Sequence, residues 1–349
     1  MVWWQFILFP FAILYDWITR WRNQWYDRGI FPSFEFDANV ISVGNLSAGG
    51  TGKTPMVEYL TRYFLKQERN VAVLSRGYGR KTSGFRFATA QDTARTLGDE
   101  PLAYFQQFGK KAVVAVGEER VLAIPEILGA YPENEVIVLD DAFQHRPVQP
   151  GFSILLTTFD RPFYTDFVLP SGRLRENRSG VSRADVVVVT KCPQTMTHEQ
   201  QQEIRQKIQA LHAGMPVCFA GLKYQQLVPF FDGGKSERTK VLAVSALAND
   251  RLFLEFLQGE YTVVEHLSFA DHHPFRERDV SRMVQWMERE GAMLVCTQKD
   301  AVKLSEFPVL KNYPCFYLPV EVVFLQGEEK FLDLMESSLK VYDRNYPAL

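Results

Sequence analysis

From Val40 onward, short apolar runs alternate with longer amphipathic stretches. The strand-like runs are Val40–Val43, Val71–Leu74, Ala112–Val116, Val136–Leu139, Ser153–Thr157 and Asp185–Thr190. Helical patterns separate them at Pro55–Gln67, Glu100–Phe108 and Glu119–Leu128, and a further one follows at His198–His212. Continuous apolar strands interleaved with helices predict a parallel sheet covered on both faces. The pattern loosens after His212. Strand-like runs at Val217–Gly221, Val241–Ser245, Thr262–Phe269, Met293–Thr297 and Cys315–Phe324 alternate with longer turns, including Asp232–Lys235, and with helical patterns at Arg251–Leu257, Glu277–Glu290 and Lys330–Leu339. This predicts a second, smaller α/β lobe starting near residue 215.

Residues 1–30 follow another pattern. Trp4, Ile7, Phe11, Leu14, Ile18, Trp21 and Trp25 recur at three and four residues, one apolar stripe on a helix. Pro10 is expected to kink or restart that helix near Phe9. The expected organisation is thus an N-terminal amphipathic helix (1–30), a doubly wound α/β domain (31–215) and a smaller C-terminal α/β lobe (216–349).

Composition changes this picture little in the body and much at the N-terminus. The 349 residues are 46% hydrophobic and 23% charged, with net charge −2, which describes a globular protein and not a nucleic-acid binder. Four cysteines lie far apart without a C-x-x-C pair, so they give no zinc signal. Five of the six tryptophans fall within the first 25 residues. The apolar stretch there is shorter than the roughly 20 residues that span a bilayer, and no basic n-region or cleavage pattern accompanies it. Tryptophan at a headgroup boundary, with Arg20, Arg22 and Arg28 for anionic lipid, makes an interfacial helix; packing on the protein's own core or on a partner is the alternative.

Candidate chemistry begins at ISVGNLSAGGTGKTP, Ile41–Pro55. An apolar run leads into a Gly-rich loop, and Gly52-Lys53-Thr54 opens a helix, the context of a phosphate-binding P-loop. Ser47, Ala48, Gly49, Gly50, Thr51 and Gly52 would cradle phosphate oxygens with their amides, Lys53 would reach the β/γ-phosphates, and the Thr54 hydroxyl would hold Mg²⁺. The first motif position, usually Gly, is Ser47. Asp140 and Asp141 close the apolar run VIVL, where a Walker B acid holds Mg²⁺. Asp99, in GDEP, reads as a helix cap or as a general base for a hydroxyl acceptor. SRGYGR (Ser75–Arg80) and the arginines between Arg161 and Arg183 offer anion recognition. FADHHPF places adjacent histidines at a strand end, either a surface loop or a group that orients a carboxylate. Lys191, at the end of DVVVVT, sits where P-loop proteins contact the nucleobase; with no aspartate two residues on, this favours ATP over GTP.

Taken together, SVGNLSAGGTGKTP, SRGYGR, GDEP, DDAFQH, GRLRE, the TK strand end, FADHHPF and TQKDAVKL resemble, in order and over most of residues 40–305, the tetraacyldisaccharide 4′-kinases of the lipid A pathway in Gram-negative bacteria. The resemblance implies ATP- and Mg²⁺-dependent phosphorylation of the 4′-hydroxyl of a tetraacylated glucosamine disaccharide 1-phosphate, giving lipid IVA. It also implies a peripheral position on the cytoplasmic face of the inner membrane. No nucleic-acid partner and no stable protein partner are expected. By position, Lys53 and Thr54 match the P-loop lysine and metal-binding threonine, Asp99 the base, and His272 its partner. Asp140 and Asp141 match the metal-side acids, and Arg120 and Lys191 join the ATP-binding set. Arg76, Tyr78, Arg80, Glu100, Gln144, His145, Arg175 and Glu176 are the candidate acceptor-side residues. Ala142 stands where relatives usually have Gly, and no proline follows Glu176. Two other readings are a partner-switching regulatory or chaperone-like P-loop NTPase and a soluble kinase of a small polar alcohol. Ala48, where the former commonly carries Lys, and the tryptophan-rich terminus weigh against them.

Overall fold

The computed structural model describes residues 3–231 and 238–340, with the backbone alone for residues 3–6; the expected turn at Asp232–Lys235 and the side chains of Trp3 and Trp4 lie outside the described residues. The chain forms two compact units. The first comprises Met1–Arg76, Lys111–Leu222 and Val322–Leu349; the second comprises Gly77–Lys110 and Lys223–Glu321.

The first unit is built on a sheet whose neighbouring strands run Val320–Gln326, Val217–Tyr224, Val186–Thr190, Phe152–Thr158, Asn39–Asn45, Val136–Asp140, Val71–Ser75 and Val113–Val116. From Val217–Tyr224 to Val113–Val116 every pairing is parallel. The strands Asn39–Asn45, Val71–Ser75, Val136–Asp140, Phe152–Thr158 and Val186–Thr190 are buried along their whole length, as expected of central strands in a parallel sheet covered on both faces. The helix Lys53–Lys66 lays Met56, Val57, Leu60 and Phe64 against them. The C-terminal helix Glu328–Ser338 returns to the same unit. Phe331 stacks near Tyr59 and Phe324, and Glu336 binds Tyr63 and Arg69 at 2.9 and 2.8 Å.

The second unit holds a sheet ordered Thr262–Ser268, Lys240–Ser245, Met293–Thr297, Cys315–Leu318 and Val228–Pro229, parallel except for the last pairing. Its core is Leu242, Val244, Met283, Met287, Leu294 and neighbours.

Three expectations change. The units do not part at one boundary near residue 215: 77–110 clusters with the C-terminal segment and 322–340 with the P-loop segment. The linear alternation of elements carries no record of that tertiary grouping. Cys315–Phe324 is two strands, Cys315–Leu318 and Val320–Gln326, interrupted at Pro319, which has no N–H to offer a ladder. The N-terminal helix runs unbroken from Trp3 to Asp27 through Pro10 and does not restart there. One absent donor near the start of a 25-residue helix leaves the rest of its bonds intact.

Candidate functional site

In the first unit the strand Asn39–Asn45 delivers the chain into the loop 46–52, and the helix begins at Lys53. Gly49 and Gly52 have φ of +113° and +84°, which a side chain would strain, whereas Ser47 is not among the positive-φ residues and needs no glycine. Instead Ser47 bridges to Leu174, and the Ala48 amide donates to the Arg173 carbonyl at 2.7 Å. The loop is braced from inside: Asn45 Nδ2 donates to Thr51 Oγ1 at 2.8 Å and Thr190 Oγ1 donates to the Thr51 carbonyl at 2.8 Å. Lys191 has left-handed backbone (φ +57°), and a Cβ built on Gly50 would lie 3.9 Å from its Nζ, so its ammonium stands beside the loop.

The acids Asp140 and Asp141 face this loop from the next strand. Asp140 is buried; it accepts from Ser75 Oγ at 3.1 Å, and its carbonyl accepts from Arg120 Nη2 at 3.3 Å. Asp141, also left-handed (φ +49°), lies 3.6 Å from Lys53 Nζ and accepts from Arg175 Nη1 at 3.0 Å. Burial pushes the Asp141 carboxyl up, but the Lys53 and Arg175 charges outweigh it and hold it below its ordinary value. His145 is driven down to about 4 by burial and by the Arg120 and Arg76 cations, so it is a neutral ring at neutral pH. Gln144 donates to the Asn45 carbonyl at 2.7 Å and to Glu176 at 3.1 Å. Glu176 is fully buried and also accepts from Arg183 at 2.8 Å. Ala142 has no positive φ, so that turn does not require a glycine.

Thr54, Asp140 and Asp141 supply a hydroxyl and two carboxylates, hard oxygen donors of the kind Mg²⁺ takes when phosphate and water complete its shell. Among the described residues no group of three or more His, Cys, Asp or Glu could hold a metal alone.

The second unit brings Asp99, Glu100, Asp271, His272 and Lys299 together from three segments. Asp99 opens the helix Asp99–Phe108, after Gly98. Asp99 is the first helical residue and not the cap, which is Gly98; its Oδ1 accepts from the adjacent Glu100 amide at 3.0 Å, and His272 Nδ1 lies 3.0 and 3.2 Å from its two oxygens. Burial would raise the Asp99 carboxyl. The hydrogen bond from His272 and the charges of Lys299 and Lys303 outweigh burial and bring it down to about 2. The His272 ring, which burial would lower, is raised above its ordinary value by Asp99. His272 is left-handed too (φ +59°). Of the four non-glycine residues with positive φ among those described, three (Asp141, Lys191, His272) are candidate site residues, the enrichment expected where backbone strain aims a side chain. His273 faces elsewhere, 3.0 Å from Asp279 and stacked on Phe269. Tyr78 sets its ring 5.0 Å from that of His272, while Arg80 donates to the Gly84 carbonyl within its own loop at 2.6 Å.

Two groups of residues escaped the sequence reading. The helix Gln298–Leu304 was not predicted; it puts Lys299 and Lys303, four residues apart, beside Asp99. The available signal was Thr297-x-x-Asp300, a capping pattern at the end of an apolar strand. The second group is the polar side of the N-terminal helix. Tyr15 donates to the Arg175 carbonyl (3.0 Å), Asn23 to Glu176 (2.6 Å), and Asp16 accepts from Asn177 (3.1 Å). Ile7, Phe11, Leu14, Trp17, Ile18 and Trp21 are left exposed. Packing of the apolar stripe on the protein's own core is therefore not what these residues show. No helix among the described residues is long and apolar enough to cross a membrane.

Comparison with known proteins adds the following. A family model described as Tetraacyldisaccharide-1-P 4′-kinase matches residues 4–340. A Tetraacyldisaccharide 4′-kinase of Flavobacterium johnsoniae is 41% identical over 333 residues, covering 93% of this chain and 94% of the relative. One from Bacteroides thetaiotaomicron is 39% identical, covering 92% and 90%. The crystal structure of LpxK from Aquifex aeolicus in complex with ATP superposes with a TM-score of 0.75 at 30% identity, covering 96% of this chain and 99% of that one.

Proposed function

This chain belongs to the tetraacyldisaccharide-1-P 4′-kinase family, and from that premise we propose that it transfers the γ-phosphoryl group of ATP to the 4′-hydroxyl of a tetraacylated disaccharide 1-phosphate. The observation that carries the reading is the braced loop 46–52, with Lys53 and Arg175 both turned to Asp141, in a chain matched by the family along nearly its whole length. Those cations gather where triphosphate charge would arrive, and a loose phosphoryl-transfer transition state needs positioning and charge stabilisation above all.

In the proposed reaction the 4′-oxygen forms a bond to the γ-phosphorus as the bond from that phosphorus to the β,γ-bridging oxygen breaks, and ADP leaves. The hydroxyl proton passes to the Asp99 carboxylate. A base with a pKa near 2 is weak, which suits a proton that moves late, after the bond to phosphorus has largely formed. Lys53 and the loop amides stabilise charge on the γ-phosphoryl oxygens. Thr54, Asp140 and Asp141 would hold Mg²⁺, which when bound neutralises phosphate charge. Arg120, fixed on the Asp140 carbonyl, and Lys191, beside Gly50, are assigned to the nucleotide. Gln144, His145, Arg175, Glu176, Arg76, Tyr78, Arg80 and Glu100 are assigned to the acceptor.

The N-terminal helix is assigned to the membrane interface on the cytoplasmic side. Its polar side is engaged with residues 175–177 and its aromatic side is exposed, the orientation that lets tryptophan enter the headgroup region. An acyl-chain substrate resides in a bilayer, so a helix lying there raises its effective concentration.

The test is direct: incubate the chain with γ-labelled ATP, Mg²⁺ and disaccharide 1-phosphate in detergent, and follow label into the glycolipid. Label on the 4′-position supports the proposal. Release of inorganic phosphate alone, at a rate indifferent to the glycolipid, overturns it.

A further inference from the structure

His272 is engaged at both ring nitrogens. Nδ1 faces Asp99, and Nε2 lies 3.1 Å from Lys299 Nζ. An ammonium group has three donors and no lone pair, so this contact is a hydrogen bond only when Nε2 accepts. A neutral imidazole carries one ring proton. With Nε2 accepting, that proton sits on Nδ1 and points at the Asp99 carboxylate. The ring's single lone pair is then occupied by Lys299 and cannot take a proton from anything else.

We propose that Lys299 is the positioning residue that decides which member of the Asp99–His272 pair is the base: it holds His272 as the Nδ1–H tautomer and leaves Asp99 as the proton acceptor. The proposal rests on the kinase reading only for the identity of the hydroxyl that gives up the proton.

The surroundings are built for this role. Lys299 is nearly buried, which costs an ammonium group its hydration, yet it is held in its charged form by three acids: Asp271 at 3.2 Å, Asp99 at 3.7 Å and Glu100 at 3.8 Å. Its helix is anchored from below. Asp300 is fully buried and accepts from the Ala246 amide at 2.9 Å and from Thr297 Oγ1 at 2.7 Å, fixing the register that aims Lys299 and Lys303 to one side. Lys303 bonds Asp300 at 3.0 Å and the His273 carbonyl at 3.2 Å, and lies 3.8 Å from Asp99. Lys303 therefore adds charge near Asp99, while Lys299 alone of the two meets the imidazole. The groups facing His272 are thus Asp99, Glu100, Asp271, Lys299 and the Tyr78 ring, with Lys303 beside Asp99. The Asp279–His273 pair is a separate contact.

The full chain, ¹⁵N-labelled at histidine, tests this without turnover; His272→Gln assigns the His272 signals among six histidines. Above its titration, the wild-type ring should carry its proton on Nδ1 with Nε2 bare. In Lys299→Met a population protonated at Nε2 should appear, and the ring should titrate at higher pH because a neighbouring cation that opposes imidazolium is gone. In the same variant kcat should fall about 10- to 100-fold, the scale of losing a group that orients a site residue, with KM for ATP nearly unchanged. Lys299→Arg, which keeps a donor cation, should retain the Nδ1–H tautomer and most of kcat. A wild-type ring protonated on Nε2 overturns the proposal. So does a Lys299→Met protein with wild-type melting whose tautomer and kcat are unchanged. If Lys299→Met does not fold, the wild-type tautomer and Lys299→Arg decide the matter. Absence of label on the glycolipid would instead remove the kinase reading, leaving the tautomer measurement to stand or fall by itself.

Discussion

The two units treat buried carboxylates in opposite ways. In the P-loop unit, Asp140 and Asp141 are met by Lys53, Arg120 and Arg175, with Arg76 close enough to act on Arg120 and His145. Cations exceed anions there, and the excess is a standing attraction for phosphate. In the other unit, Asp99, Glu100 and Asp271 outnumber Lys299 and Lys303, and an imidazole completes the set. The first arrangement waits for charge to arrive. The second keeps one carboxylate ionised and aimed although it is almost fully buried.

The largest expected effect breaks the first arrangement. Lys53→Ala should lower kcat by roughly 10³ or more, since it removes the cation proposed to meet the γ-phosphoryl group in a reaction dominated by charge stabilisation. Steady-state transfer to the glycolipid measures it, and a loss under about tenfold would mean that the loop does not grip the γ-phosphoryl group.

His272→Ala probes the second arrangement and should cost less, about 10²-fold in kcat, because the carboxylate proposed to take the proton remains. Equal losses from Lys53→Ala and His272→Ala would erase the distinction drawn between the two units.

Acid stability sharpens the same contrast. Burial opposes the Asp99 charge, but His272 and the two lysines bring its folded pKa down to about 2, below the ordinary 3.8. A depressed carboxylate contributes stability that is present above its unfolded pKa and lost as pH falls through the folded one. The linked contribution is about 2 kcal/mol and should disappear between roughly pH 4 and pH 2. Urea unfolding across that range should show a shallower acid decline in Asp99→Asn than in the wild type.

The smallest effect on the fold lies at the N-terminal helix. Replacing exposed Trp17 and Trp21 together with Ser should leave the melting midpoint within about 0.5 kcal/mol of stability of the wild type. Partition onto anionic vesicles should weaken severalfold in flotation assays. Unchanged partition would reassign the exposed stripe.

The same contrast explains what could be read in the chain. The P-loop site is written contiguously: SAGGTGKT and DD each follow a strand whose apolar run is unmistakable, and a strand end fixes where the next residues point. Asp99, His272 and Lys299 come from positions up to 200 residues apart, and only packing brings them together. The helix Gln298–Leu304 has seven residues, too short for periodicity to betray, so both lysines went unassigned although TQKDAVKL stood out as a motif. The N-terminal helix shows a further gap. Its stripe was visible and read as interfacial, but what holds its polar side was not, because Tyr15, Asp16 and Asn23 reveal their partners Arg175, Asn177 and Glu176 only in the folded chain. Regrouping of 77–110 was likewise invisible, since Gly98 and Asp99 follow the second strand in sequence as any αβ connection does.

The central claim is that Asp99 removes the acceptor proton for a phosphoryl group held by the P-loop. Single-turnover transfer by Asp99→Asn, with ATP and glycolipid both saturating and ATP binding measured separately, addresses it most directly. The account predicts ATP affinity near that of the wild type and a chemical step slower by about 10²- to 10⁴-fold. A chemical step within a few-fold of the wild type would contradict it.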